Sequence, residues 1–360
     1  VRDGIAYALS ASGAIAVETN SGKTIWWRDY GGTPQMAPAV DERKLYVQLG
    51  AHQMAAIDRM TGEIVWRFDD GTSGDLDPSP TLFENRLFFG LTKTNAFYCV
   101  DTEGGRLIWR TPIAGTPTYV APVSDGVVVV GAEKQDSSGV HFFGLNAETG
   151  TVIWESQQRE SSSSASVLDG RVVIGGGDFR ARALDLRSGQ EVWSSPVEDK
   201  FDPRNMPALA FGDVFLADRV GNVYRLDGKT GRRKWLYRDT VGTMDQSFPV
   251  IAGRTLFIGS GAGWLYAIDT EEGKLLWKDR VRGIVLSGAA DAERFYFGVK
   301  LGPDEGLHAY EHDPEGKLET GNSRVETLPA LLGGLLLFAL VFGGVFLFAR
   351  RRRGRLNRSS

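Results

Sequence analysis

The chain has 360 residues, including 45 glycines, nine tryptophans and one cysteine, and a formal net charge of −4. One cysteine excludes an intrachain disulfide, and a chain of this length can build a core that needs no such staple. Six arginines fall in the last eleven residues, so the rest of the chain carries about −10, which argues against nucleic acid as a partner.

The first element in chain order is Ile5-Ala-Tyr-Ala-Leu9, an alternating run that corresponds to the second strand of a four-stranded unit. The innermost strand of that unit has no counterpart ahead of it. We expect either upstream residues or the segment Lys317–Glu326 to supply it. A first residue Val1 in place of Met points to a truncated, processed or alternative start.

A phrase of eleven residues then recurs, with Ala56-Ile-Asp58-Arg-Met-Thr61-Gly62-Glu-Ile-Val-Trp66 as a clean copy. Its tryptophans are Trp26, Trp66, Trp109, Trp154, Trp193, Trp235 and Trp277, spaced by 40, 43, 45, 39, 42 and 42 residues. Its glycines are Gly22, Gly62, Gly105, Gly150, Gly189, Gly231 and Gly273, and its acidic or amide positions are Glu18, Asp58, Asp101, Asn146, Asp185, Asp227 and Asp269. An eighth copy around Glu311 is degenerate, and the next tryptophan position holds Thr320. Fixed-period self-similarity of this length means a repeat architecture.

Each unit reads as four short strands. In the seventh copy these are Phe248–Ile251, Thr255–Ser260, Leu265–Asp269 and Lys274–Lys278, joined by turns at Gly253, Gly261–Gly263 and Gly273. An Asp or Asn side chain bonds the backbone two residues on, and glycine supplies the left-handed conformation. No sustained helical period occurs in residues 1–316. Sheets of this kind bury both faces by radial stacking, and one flat Trp per sheet fills the wedge between neighbours. The fold class is therefore all-β, an eight-bladed β-propeller with an incomplete first blade.

Inner strands are marked by Pro38, Pro80, Pro122, Pro207 and Pro249, with Ser166 and Ala289 in the same place in the other copies. Three residues earlier lie Gln35, Asp77, Tyr119, Ser163, Arg204, Gln246 and Leu286, with Asp245 one further back. A varied polar ring at a channel mouth suits a ligand or partner site, and equally a water-filled entrance; Asp77, Tyr119, Arg204, Asp245 and Gln246 are the candidates. Asp69, Asp70, Asp75 and Asp77 surround Gly71 and Gly74, but their spacing fits a solvated loop better than a calcium site. His308 and His312 have no third ligand in view, so no metal is expected. Cys99 reads as a small buried hydrophobe.

The phrase Ala-x-Asp-x-x-Thr-Gly-x-x-x-Trp resembles the repeat of the pyrroloquinoline-quinone-like propellers over residues 1–316. That superfamily includes the quinoprotein alcohol dehydrogenases and the BamB-like outer-membrane assembly propellers. The resemblance implies eight blades. For the dehydrogenases it also implies a quinone held between a Trp and a disulfide of adjacent cysteines, with calcium and an Asp base. A single cysteine cannot form that disulfide, so no catalytic residue is carried over and neither quinone nor enzyme activity is expected. The assembly branch implies a non-catalytic adaptor with a protein partner.

Beyond a linker at 317–327, residues 328–349 contain no charge. As a helix they would extend roughly 33 Å, enough to cross a hydrocarbon core of about 30 Å. A basic tail follows at 350–360, starting with Arg350, Arg351, Arg352 and Arg353. The positive-inside rule places that tail in the cytoplasm and the propeller outside it. A processed sorting signal is the alternative, although no Leu-Pro-x-Thr-Gly motif is present. The expected protein is a single-pass, membrane-anchored propeller of the cell envelope that binds a protein or an envelope ligand.

Overall fold

The turn aspartate or asparagine shapes five of the seven copies in the same way. In the second copy Asp58 Oδ1 accepts hydrogen bonds from the Met60 N–H at 2.9 Å, the Thr61 N–H at 2.9 Å and the Thr61 hydroxyl at 3.1 Å. Asn146, Asp185, Asp227 and Asp269 accept the corresponding backbone N–H groups. The turn closes with the Gly62 N–H on the Asp58 carbonyl at 2.9 Å, with Gly62 at φ 75°. Four residues later Trp66 lies opposite Ala56, while Ile64 lies opposite Ile57, which leaves Val65 as the extra residue of a β-bulge. The same register shift occurs in all seven copies of the phrase. It twists the outer strand and leaves the residue before each Trp unpaired.

The computed structural model describes residues 2–9, 12–31, 37–50, 53–72, 79–91, 94–117, 120–134, 139–158, 164–197, 206–238, 247–290, 294–304, 306–311 and 326–327. They form eight antiparallel sheets and no helix. In the seventh the strands are Val250–Ala252, Thr255–Gly259, Trp264–Asp269 and Leu275–Arg280, each within two residues of the reading from sequence. The eight blades span residues 5–29, 39–68, 81–112, 116–158, 166–196, 208–238, 250–280 and 284–327. Among the described residues blade 1 has three strands and no inner one. In blade 4 the inner strand is split into Thr116–Pro117 and Val123–Ser124.

Glu326 pairs with Ala309 and Thr327 with His308, so the end of the expected linker forms the outer strand of blade 8. Residues 317–325 of that segment lie outside the described residues. Residues 328–360, with the apolar run and Arg350 to Arg353, lie outside the described residues. Among the described residues no helix is long and apolar enough to cross a membrane.

The seams between blades explain why Trp and Gly recur together. Six of the seven repeat indole N–H groups donate to a carbonyl of the following blade: Trp26 to Arg59 at 2.9 Å, Trp66 to Thr102 at 3.0 Å, Trp109 to Ala147 at 3.1 Å, and Trp154 to Leu186 at 2.7 Å. Trp193 and Trp235 reach Gly228 and Thr270 at 3.0 and 2.9 Å. The turn glycine of that following blade lies on the ring, so a Cβ at Gly189 would stand 2.5 Å from Trp154 and one at Gly231 2.6 Å from Trp193. Around these contacts seven apolar clusters fill the successive seams from blades 1 and 2 to blades 7 and 8. On the other face of blade 1, Ala8, Ile15 and Val17 form a cluster of their own.

Candidate functional site

Strand direction decides which groups share an end of the propeller. An inner strand starts at one end and the antiparallel second strand returns to it. The blade-to-blade connections and the hairpins between second and third strands therefore gather at that end, and the aspartate turns at the other. The ring candidates Asp77, Tyr119, Arg204, Asp245 and Gln246 belong to the connections and lie outside the described residues, as do Gln35 and Ser163. Leu286 is the described position of the series, and it is buried in the inner strand Ile284–Ala290.

Described polar groups beside the connections serve the scaffold. Buried Ser247 accepts the Gly259 N–H at 3.0 Å, which fixes the entry to the inner strand of blade 7. The Ser166 hydroxyl donates to the Pro207 carbonyl at 2.7 Å and ties the inner strands of blades 5 and 6. In the blade 6 hairpin, fully buried Asp218 accepts the Asn222 amide and the Tyr224 hydroxyl, both at 2.7 Å, and two backbone N–H groups. In blade 5 the Arg182 guanidinium grips Asp178 and holds its carboxyl below the usual carboxylate range.

Two arrangements were not expected from sequence. At the aspartate-turn end of the seam between blades 6 and 7, Arg225 donates to Asp213 at 2.6 Å, to the Thr270 carbonyl at 2.9 Å and to Glu271 at 2.9 Å. Lys234 reaches the same Asp213 at 2.8 Å. The signal was present: Arg225 faces Trp235 where the other copies place Ala16, Ala56, Cys99, Gly144, Ala183 or Ala267. At the opposite end Trp264 lies under two cations, Lys278 Nζ at 4.7 Å and Arg280 Cζ at 5.5 Å from its ring centre.

No cluster of three or more metal-ligating side chains occurs among the described residues. Asp70 accepts the Thr72 N–H and hydroxyl and the Tyr98 hydroxyl, Asp69 accepts the Gly71 N–H, and Asp75 and Asp77 lie outside the described residues. His308 is buried, stacked on Phe297 with its Nε2 at 2.7 Å from the Asp304 carbonyl oxygen, and His312 lies outside the described residues. Cys99 is fully buried in the core between blades 3 and 4, where burial pushes its thiol up to about 12. As the chain's one cysteine, it cannot form a disulfide of adjacent cysteines.

A family model described as outer membrane protein assembly factor BamB matches residues 1–78, 72–220 and 202–283. The tetrathionate hydrolase of Acidithiobacillus ferrooxidans is 24% identical over 284 residues, covering 72% of this chain. The match covers 56% of the hydrolase, so the chain spans about half of that relative's length. The outer membrane protein assembly factor BamB of Yersinia pestis is 24% identical over 324 residues, covering 82% of this chain and 79% of the relative. Among solved structures, BamB from Moraxella catarrhalis aligns with a TM-score of 0.65 at 14% identity, covering 83% of this chain and 94% of the other. At that identity the likeness shows the fold alone.

Proposed function

This chain belongs to the propeller family whose model is described as outer membrane protein assembly factor BamB, and on that premise we propose a non-catalytic, membrane-anchored scaffold that holds a protein partner at the cell envelope. The observation that carries the reading is a row of aliphatic side chains on the outer strands. Leu107 and Ile108 of blade 3 and Val152 and Ile153 of blade 4 are 51, 41, 50 and 46% exposed, at the same level relative to their tryptophans. Val65 and Val192 extend the row to blades 2 and 5. The β-bulge contributes to the exposure, since it puts both residues before Trp109 and both before Trp154 on the outer face. Exposed aliphatic side chains recurring at one level are what a protein interface covers. The connections that carry Asp77, Tyr119, Arg204, Asp245 and Gln246 offer a second contact set.

The anchor in this reading is the uncharged run 328–349, with Arg350 to Arg353 on its cytoplasmic side. Photo-crosslinking from Leu107 and Val152 in intact cells tests the scaffold. We expect one dominant protein adduct, lost when Ile108→Asp and Ile153→Asp are combined. No protein adduct, together with a small molecule retained on purification, replaces the scaffold with a ligand sensor at the channel mouth. Stoichiometric quinone binding followed by absorbance brings back the enzyme reading.

A further inference from the structure

The hairpins between second and third strands are not alike around the ring. In blades 5 to 8 each presents one apolar side chain beside one or more cations at the channel-mouth end. Blade 5 presents Phe179, 40% exposed, next to Arg180. Blade 6 presents Arg219 and Val220, blade 7 presents Trp264 beneath Lys278 and Arg280, and blade 8 presents Lys300 and the 71% exposed Leu301. In blades 1 to 4 the same hairpins read Ser10-Ala-Ser12, Gly50-Ala-His-Gln53, Thr92-Lys-Thr-Asn95 and Glu133-Lys-Gln-Asp-Ser-Ser-Gly139, without an aromatic or large aliphatic residue.

Two of the apolar tips are also in a conformation that bulky residues avoid, with Phe179 at φ 63° and Leu301 at φ 57°. Neither gains burial from it. The carboxylates described at this end of blades 6 to 8 are engaged within the protein: Asp218 in its hairpin, Asp279 by the Tyr310 hydroxyl at 2.6 Å, and Asp304 by Arg282 at 2.7 Å. Arg180 donates to the Ser194 hydroxyl and carbonyl oxygens, while Lys278 and Arg280 lie exposed beside Trp264.

We infer that the hairpin tips of blades 5 to 8 form a rim that rests on a bilayer surface carrying anionic lipid, with the exposed Phe179, Val220 and Leu301 entering the headgroup layer, the partly buried Trp264 at its edge, and Lys278 and Arg280 pairing with lipid phosphate. Indole with lysine and arginine is the chemistry of an interfacial anchor. Chain direction selects a bilayer over an acidic protein. The outer strand of blade 8 ends at Thr327 running toward this same end, and the uncharged run starts at the next residue, Leu328. The inference rests on the membrane-anchored reading above, and it adds an orientation, with blades 5 to 8 of the channel-mouth end facing lipid.

The test uses the full chain in vesicles of phosphatidylcholine with or without about one-third phosphatidylglycerol. An environment-sensitive thiol dye is placed at Leu301→Cys or Phe179→Cys, and at Met60→Cys or Phe211→Cys on the opposite end, while buried Cys99 stays unlabelled. Blue-shifted emission quenched by nitroxide lipid at 301 and 179, but not at 60 and 211, supports the rim. Equal behaviour at both ends overturns it. Replacing Lys278 and Arg280 together by Glu is expected to weaken the phosphatidylglycerol-dependent part about tenfold or more; no change overturns the role given to the cations. Alkaline extraction reports on the anchor separately. If it releases the chain, the anchored reading fails, and flotation of the released chain with phosphatidylglycerol vesicles then decides the rim: flotation supports it and absence of flotation overturns it.

Discussion

At the scale of single residues, the turn glycines answer to two demands at once. Gly189 has φ 68°, which glycine meets without strain, and it also lies against the Trp154 ring, 2.5 Å from where a Cβ would stand. Gly170 has nearly the same φ, 70°, with nothing within 4 Å of a Cβ. The two demands therefore separate by experiment. Gly170→Ala should cost about 1 kcal/mol, the left-handed backbone alone. Gly189→Ala should cost roughly 2 to 4 kcal/mol, because overpacking against the indole is added. Urea denaturation of the two variants checks this, and equal losses would remove the indole from the account. The backbone demand was legible in sequence and the packing demand was not, since the ring comes from the preceding copy and lies outside any single phrase. Cys99 gives a second residue-scale expectation. With its thiol pushed up to about 12 by burial, it stays protonated at neutral pH, so a thiol reagent should label it only after unfolding. Rapid labelling of the folded chain would contradict the packing of that seam.

At the scale of the element, the aspartate turn links sequence to pH dependence. The Ser188 hydroxyl lowers Asp185 and the Thr230 hydroxyl lowers Asp227, each helped by backbone N–H groups. A carboxyl depressed in the folded state contributes stability that is fully present above the ordinary carboxylate pKa of about 3.9, and that is lost as pH falls through the lower folded values. Urea midpoints should therefore be flat from pH 7 to 5 and fall in the acid range below pH ~4. Asn146 does the same work in blade 4 without a charge, accepting the Glu148 and Thr149 N–H groups at 2.9 Å. Asp227→Asn should then cost little at pH 7 and weaken the acid dependence, whereas Asp227→Ala should cost about 1 to 2 kcal/mol at pH 7. An unchanged acid profile in the Asn variant would show that other carboxylates govern it. The turn chemistry could be read from the phrase alone. The bulge beside it could not be read as easily, although the consecutive apolar pairs Leu107-Ile108 and Val152-Ile153 break the alternation of a regular strand and in retrospect mark it.

At the scale of the whole molecule, the propeller is a ring of nearest-neighbour seams, and damage to one seam should stay close to it. Blade number and seam packing were visible in sequence because each copy repeats them. The site was not, because its candidate residues stand in connections that differ from blade to blade, and the apolar-basic hairpins emerge only when the copies are set side by side. The seam between blades 6 and 7 tests locality most directly, since it is built on charge. Asp213 and Arg225 have side chains 2 and 7% exposed, and Asp213 also holds Lys234. Asp213→Asn leaves two cations facing a neutral amide in a buried seam, which should cost about 3 to 5 kcal/mol. Joint replacement by apolar residues, Asp213→Leu with Arg225→Met, removes the desolvated charges together and should cost far less. Hydrogen exchange resolves where the loss falls. Amides in Asn222–Asp227 and Trp264–Asp269 should exchange faster in Asp213→Asn, while those in Ala96–Asp101 and Val140–Asn146 keep wild-type protection. If protection drops evenly around the ring, the blades unfold as one cooperative unit and the nearest-neighbour description does not hold for this propeller.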